Sequence, residues 1–125
     1  MNTGLVLAIA LAAAVGAPAR FLLDRVVTDR FAKLAWSDFP WGLLVVNSLG
    51  SLVAGLALVL ATPAVATVVL VGLCGAFTTF SGFGWDLSRM WQHRRSRFWA
   101  ALVVMPAACI AAFMLGSGLG NLVAG

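Results

Sequence analysis

The sequence predicts an all-α integral membrane protein with four transmembrane helices, the third of them broken near mid-membrane. Three observations carry this: an excess of apolar residues, four uncharged stretches of bilayer length, and a centre rich in Gly and Thr in the third. Of 125 residues, 62% are hydrophobic and only 10% charged, with a mean hydropathy of +1.04. A soluble domain keeps about a quarter of its residues charged, so this chain has too little polar surface to cover itself in water.

Crossing a hydrocarbon core of roughly 30 Å takes about 20 mostly apolar residues. The first span is expected over 3–23, with Arg20 close to its end. No charged residue occurs between Phe39 and Trp85, and Thr62-Pro63 divides that run into spans over 41–61 and 65–85. Beyond the basic stretch ending at Arg97 the chain is again uncharged, which places the fourth span over 98–121. The four make a single membrane domain, 1–125, with short loops and both termini on one side. A secretory signal peptide is the competing reading of the first span. It would want a basic n-region, and no Lys or Arg precedes Arg20, although Ala17-Pro18-Ala19 resembles a cleavage site. Cys74 and Cys109 fall at mid-span depth and read as packing residues, with neither a disulfide nor a metal inferred.

Charge sets the orientation. Arg20, Arg25, Arg30 and Lys33 surround the first loop, and Arg89, Arg94, Arg95 and Arg97 surround the third, so all eight basic residues share one face. Trp36, Trp41, Trp85, Trp91 and Trp99 lie at the same interface. Cytoplasmic loops collect Lys and Arg, and Trp marks membrane–water interfaces. Loops 24–40 and 86–97 are therefore expected in the cytoplasm and both termini outside, in the cell inner (plasma) membrane. The basic excess is this orientation signal; nucleic-acid binding would need an extended basic surface or a reader fold, and none is evident.

Helices in lipid associate through small residues. Ala8, Ala12 and Gly16, Ser51 and Gly55, Gly72 and Ala76, and Ala112, Gly116 and Gly120 offer each span a close-contact face. Polar residues in spans are the better guide to function. Asn47 lies about two turns into the second span, with Ser51 one turn further on the same face. The third span reads Gly72-Leu-Cys-Gly75-Ala-Phe-Thr78-Thr79-Phe80-Ser81-Gly82-Phe83-Gly84. Gly and β-branched Thr are poor helix-interior residues, and the stretch suits a helix that breaks. Freed carbonyls at that depth must be buried or line a cavity, as in ion sites built on discontinuous helices. A kinked helix with its hydroxyls bonded to the previous turn is the alternative.

Gly16-Ala17-Pro18-Ala19-Arg20-Phe21, the Trp41-Gly42 to Asn47-Ser48-Leu49-Gly50 stretch, and Gly72-x-x-Gly75-x-x-Thr78-Thr79-Phe80-Ser81-x-Phe83 resemble the three signature segments of the Fluc (CrcB) fluoride-channel family. They occur in family order and at family spacing, over the first three spans. The resemblance implies an antiparallel, dual-topology-type dimer with two narrow fluoride pores and passive fluoride export that lowers toxicity. It implies a structural, non-transported Na⁺ at the dimer axis, held by the backbone carbonyls of Gly75 and Thr78. Phe80 and Phe83 would face the ion path beside Asn47, with Thr79 and Ser81 adding hydroxyls. Phenylalanine edges carry the positive part of the ring quadrupole, and amide and hydroxyl groups donate hydrogen bonds. Arg20 would serve an anion-attracting vestibule or interfacial anchoring.

Two features depart from the family pattern. The fourth helix usually carries a ladder of hydroxyls, whereas Ala100 to Gly116 has none, only Cys109, and Pro106 is expected to interrupt the helix. An antiparallel homodimer also requires one sequence to insert both ways, and eight basic residues against none is a strong bias. The expectation is therefore a heterodimer with an oppositely oriented paralogue, rather than a homodimer. A small multidrug-type exporter would need an intramembrane carboxylate, and Asp24, Asp29, Asp38 and Asp86 all lie at span ends or in loops. A non-conducting structural subunit stays open as the alternative. An enzyme is set aside, because His93 stands in the basic loop without a nucleophile or second base.

Overall fold

The computed structural model of the chain describes residues 2–34 and 36–125; Met1, in the uncharged N-terminal tail, and Ala35, in the first loop, lie outside the described residues. Among the described residues the secondary structure is all helical, and four helical spans are long and apolar enough to cross a membrane. Helix α1, Thr3–Phe31, opens on Asn2, whose Oδ1 accepts from the Leu5 N–H at 2.8 Å and satisfies one orphan donor of the first turn. The helix continues to Phe31 rather than ending near Leu23. Its 29 residues reach about 43 Å, longer than the hydrocarbon core. Charge ends a span because hydrocarbon excludes it, but Asp24, Arg25 and Arg30 do not oppose a helix in water.

Helix α2, Trp41–Leu60, follows Pro40 and stops before Thr62, which is extended ahead of Pro63, as the residue before a proline prefers. The third span, Pro63–His93, is composite. It comprises α3 (Pro63–Thr67), a π-helical stretch (Val68–Cys74), α4 (Gly75–Phe77) and α5 (Phe80–His93). Helix α6, Arg95–Ala124, is continuous and carries Pro106 inside it. This corrects the expected interruption at Pro106. A proline removes one N–H and crowds the carbonyl four residues earlier, yet in an apolar setting any wider break would free more backbone than it relieves.

Small residues set the crossings. Helix α2 packs along α6, and α1 packs on the π-helical stretch. A Cβ added at Gly16 would lie 2.6 Å from the Leu73 carbonyl, and one at Gly72 would lie 2.7 Å from the Ile9 carbonyl. On the other side, a Cβ at Gly55 would strike the Phe113 carbonyl, and one at Gly116 the Leu52 carbonyl. Backbone thus meets backbone at both crossings.

The basic end carries a buried apolar core. Phe39, Leu43, Phe83, Met90, Ala101 and Met105 form one buried cluster. Above it, Asp38 of the first loop accepts from Arg97 and pairs with Arg94 Nε at 3.3 Å. Trp41 Nε1 donates to the Trp36 carbonyl at 2.9 Å, and the Arg95 guanidinium sits 4.3 Å from the Trp91 ring centroid. The two basic segments are therefore in contact.

Replacing Gly55 by Ala is expected to destabilise the fold by about 1–3 kcal/mol, because the α2–α6 backbones must separate. Gly118→Ala, where an added Cβ meets nothing within 4 Å, should leave the unfolding midpoint unchanged or slightly raised. Thermal unfolding of both variants in detergent checks the contrast.

Candidate functional site

Between α4 and α5 the backbone leaves the helix for two residues. Thr78 has φ −84°, ψ 159° and Thr79 has φ −149°, ψ 128°, both extended. In a continuous helix the Thr79 N–H would bond the Gly75 carbonyl. Here it donates instead to Asn47 Oδ1 at 2.9 Å, while Asn47 Nδ2 donates to the Thr79 carbonyl at 3.1 Å. The Asn47 side chain thus stands in for a peptide and pairs both polar groups of Thr79. At 8% exposure Asn47 is a buried polar residue, the setting in which unpaired groups cost most.

The flanking ends are closed by threonines. Thr78 donates twice to the Cys74 carbonyl, through its N–H and its Oγ1, each at 2.9 Å. Thr79 Oγ1 caps α5 by accepting from the Gly82 N–H at 3.2 Å, and lies 3.1 Å from Ser81 Oγ. A Cβ at Gly50 would strike Thr78 Cγ2, so the break approaches α2 because Gly50, three residues after Asn47, has no side chain.

These bonds have a consequence for the carbonyls assigned to a cation. The α-helical donor of Gly75 is the Thr79 N–H, taken by Asn47. The corresponding donor for Thr78 is the Gly82 N–H, taken by Thr79 Oγ1. Both carbonyls have lost their helical partners, and unwound carbonyls of this kind suit Na⁺. The residues fit the ion.

An open groove of about 290 Å³ runs beside the break. Asn47 and Ser51 of α2 and Thr78 and Thr79 of the break supply its polar wall; Phe80 and Phe83 of α5 and Met105, Pro106 and Cys109 of α6 supply the rest. Phe83 is 6% exposed and sits in the core cluster, whereas Phe80 is 83% exposed. Their rings meet edge to face, with centroids 6.0 Å apart. Ser81 is exposed and reaches the groove only through its contact with Thr79. Arg20 is half-buried on α1 and lines neither this groove nor the next.

A second groove of about 590 Å³ opens at the basic end, where Asp24, Asp38 and Asp86 face Arg89, Arg94 and His93. Its charges are mixed. Sequence reasoning left the α6 wall of the first groove unassigned. The only signal there was Cys109, the one thiol in a stretch without hydroxyls.

A profile of the family described as CrcB-like protein, Camphor Resistance (CrcB), matches residues 7–118. The Fluoride-specific ion channel FluC of Koribacter versatilis (strain Ellin345) is 35% identical over 116 residues, 88% of this chain and 89% of its own. The protein of the same name from Magnetococcus marinus is 39% identical over 127 residues, 92% of this chain and 96% of its own. That of Solidesulfovibrio magneticus is 39% identical over 123 residues, 92% of this chain and 94% of its own.

Replacing Asn47 by Leu leaves the Thr79 N–H and C=O unpaired, at about 1–3 kcal/mol for each group, and is expected to lower the thermal midpoint in detergent accordingly. Asn47→Asp keeps the acceptor but loses the donor, so it should be destabilised at neutral pH. It should recover in part on acidification, when a protonated carboxyl can donate to the Thr79 carbonyl. Wild-type midpoints for both variants would exclude a positioning role for Asn47.

Proposed function

The chain belongs to the CrcB family, and from that membership we propose that it is a subunit of a fluoride-selective channel through which fluoride leaves the cytoplasm passively. The observation that carries the reading is the groove beside the Thr78–Thr79 break, where two phenylalanines and hydrogen-bonding side chains line one surface. Fluoride is small and tightly hydrated, so a selective path must replace its water with such groups. The break would lie near mid-membrane, in the third span. Export by this route lowers fluoride toxicity and needs no catalytic residue; the family is one of channels, not enzymes.

The Gly75 and Thr78 carbonyls would hold a structural Na⁺ that is not transported and contributes fixed positive charge at the centre of the assembly. Support comes from the two helical donors diverted to Asn47 and Thr79. Within the path, Phe80 and Phe83 present ring edges and Thr79 and Asn47 line its polar side, Ser81 joining through its contact with Thr79 and Asn47 holding the Thr79 peptide as it does so. Arg20 anchors α1 at the cytoplasmic interface.

The assembly is an antiparallel dimer, and the charge bias favours a heterodimer with an oppositely oriented paralogue. All eight basic residues belong to the 24–40 and 86–97 loops or their borders, and contacts such as Asp38 with Arg94 join those segments. On this reading both loops lie in the cytoplasm and both termini outside the plasma membrane. The α6 wall, without a hydroxyl from Ala100 to Gly116, is the observation that favours the second reading, a non-conducting structural subunit.

Liposomes holding this chain with an oppositely biased paralogue are expected to release fluoride rapidly, read with a fluoride electrode, and to retain chloride. Rapid release by this chain alone would establish a homodimer instead, and no release in any pairing would favour the structural subunit. Terminal tags should be found on the outer side only; tags on both sides in comparable amounts would contradict the fixed orientation.

A further inference from the structure

Resting on the fluoride reading above, we propose that the Ser51 hydroxyl is a direct hydrogen-bond donor to the permeating anion and a determinant of its selection. The case comes from counting the donor hydrogens that the groove has left to give. The Thr78 hydroxyl donates to the Cys74 carbonyl. The Thr79 hydroxyl accepts from the Gly82 N–H and shares one hydrogen bond with Ser81, so that pair keeps one hydrogen, on whichever of the two accepts. Asn47 spends its Oδ1 and one Nδ2 hydrogen on the Thr79 peptide, which leaves it a single N–H. On the α6 wall, Met105 and Pro106 bring no side-chain donor and Cys109 only a thiol, a weak one.

Ser51 differs from all of these. It lines the groove, and its hydroxyl has no hydrogen-bond partner among the described residues. Helical hydroxyls in apolar surroundings ordinarily fold back onto a carbonyl of the preceding turn. Thr67 does so to Pro63 at 2.8 Å, Ser88 to Trp85 at 2.8 Å and Ser117 to Met114 at 3.0 Å. Ser51 keeps its hydrogen free beside the residual Asn47 N–H, one turn away on the same face of α2. A hydroxyl left unpaired in an apolar site is unfavourable unless something accepts from it. A dehydrated anion in the groove is an acceptor, and the two α2 donors offer it consecutive partners along the wall that faces the hydroxyl-free α6.

The test compares Ser51→Ala and Ser51→Thr with wild type by fluoride efflux from liposomes, in whichever pairing the wild type conducts. A hydrogen bond to a charged group is strong enough that Ser51→Ala should slow fluoride efflux by about ten- to a hundredfold. Ser51→Thr keeps the hydroxyl and should conduct nearly as fast as wild type. Both variants should retain wild-type elution and melting temperature in detergent, which separates loss of a donor from loss of fold. Equal efflux from wild type and Ser51→Ala would overturn the assignment, as would an equal loss in Ser51→Thr. If the wild type releases no fluoride in any pairing, the channel reading itself fails and the assignment falls with it.

Discussion

A peptide group in hydrocarbon must find hydrogen-bond partners inside the protein, and the architecture around the groove follows from how one peptide does so. Thr79 leaves the helix, and its N–H and C=O would be orphaned at a part-buried position. Asn47 pairs with both. That pairing frees the Gly75 carbonyl from its helical role and brings α2 against the break. Gly50 then has to be a glycine, because Thr78 occupies the space a side chain would need. One side-chain amide therefore fixes the extended residues, the α5 cap that begins at Thr79 and the polar wall of the groove.

Close packing elsewhere serves the same region. Gly16 and Gly72 bring α1 and the third span to backbone contact, just ahead of α4. Gly55 and Gly116 do the same for α2 and α6, which sets Met105, Pro106 and Cys109 across from Asn47 and Ser51. In lipid such approaches replace the hydrophobic drive that assembles soluble domains. At the basic end the logic changes: Asp38 joins the first loop to Arg94 and Arg97, while Phe83 and Met90 bury themselves with Phe39 and Leu43. The groove lies between a glycine-packed bundle and an aromatic core.

The four spans were legible because exclusion of charge from hydrocarbon leaves a strong local mark on the sequence. Helix ends were less so, since Asp24, Arg25 and Arg30 bar a bilayer but not a helix, and α1 runs on to Phe31. Pro106 was misread by applying a local rule where the surroundings offer the backbone no alternative. The glycines and threonines of 72–84 drew attention to the stretch that holds Thr78 and Thr79, and Asn47 stood out as a polar residue in a span. That these two features are one device was not legible: they lie 32 residues apart, and no spacing announces such a contact. Nor could spacing tell that Phe80 is exposed while Phe83 is buried, because the difference depends on Phe39, Leu43 and Met105 from elsewhere in the bundle. Ser51 was visible on the Asn47 face, but its significance emerges only once the partners of every neighbouring hydroxyl are known.

The most direct test of the Asn47–Thr79 pairing is hydrogen exchange at the Thr79 amide, followed residue by residue in lipid nanodiscs by NMR. Slow exchange in wild type, lost in Asn47→Ala while the amides of α2 and α6 stay protected, is the expected result. A Thr79 amide that exchanges freely in wild type, or one whose protection is unchanged without the Asn47 side chain, would contradict it.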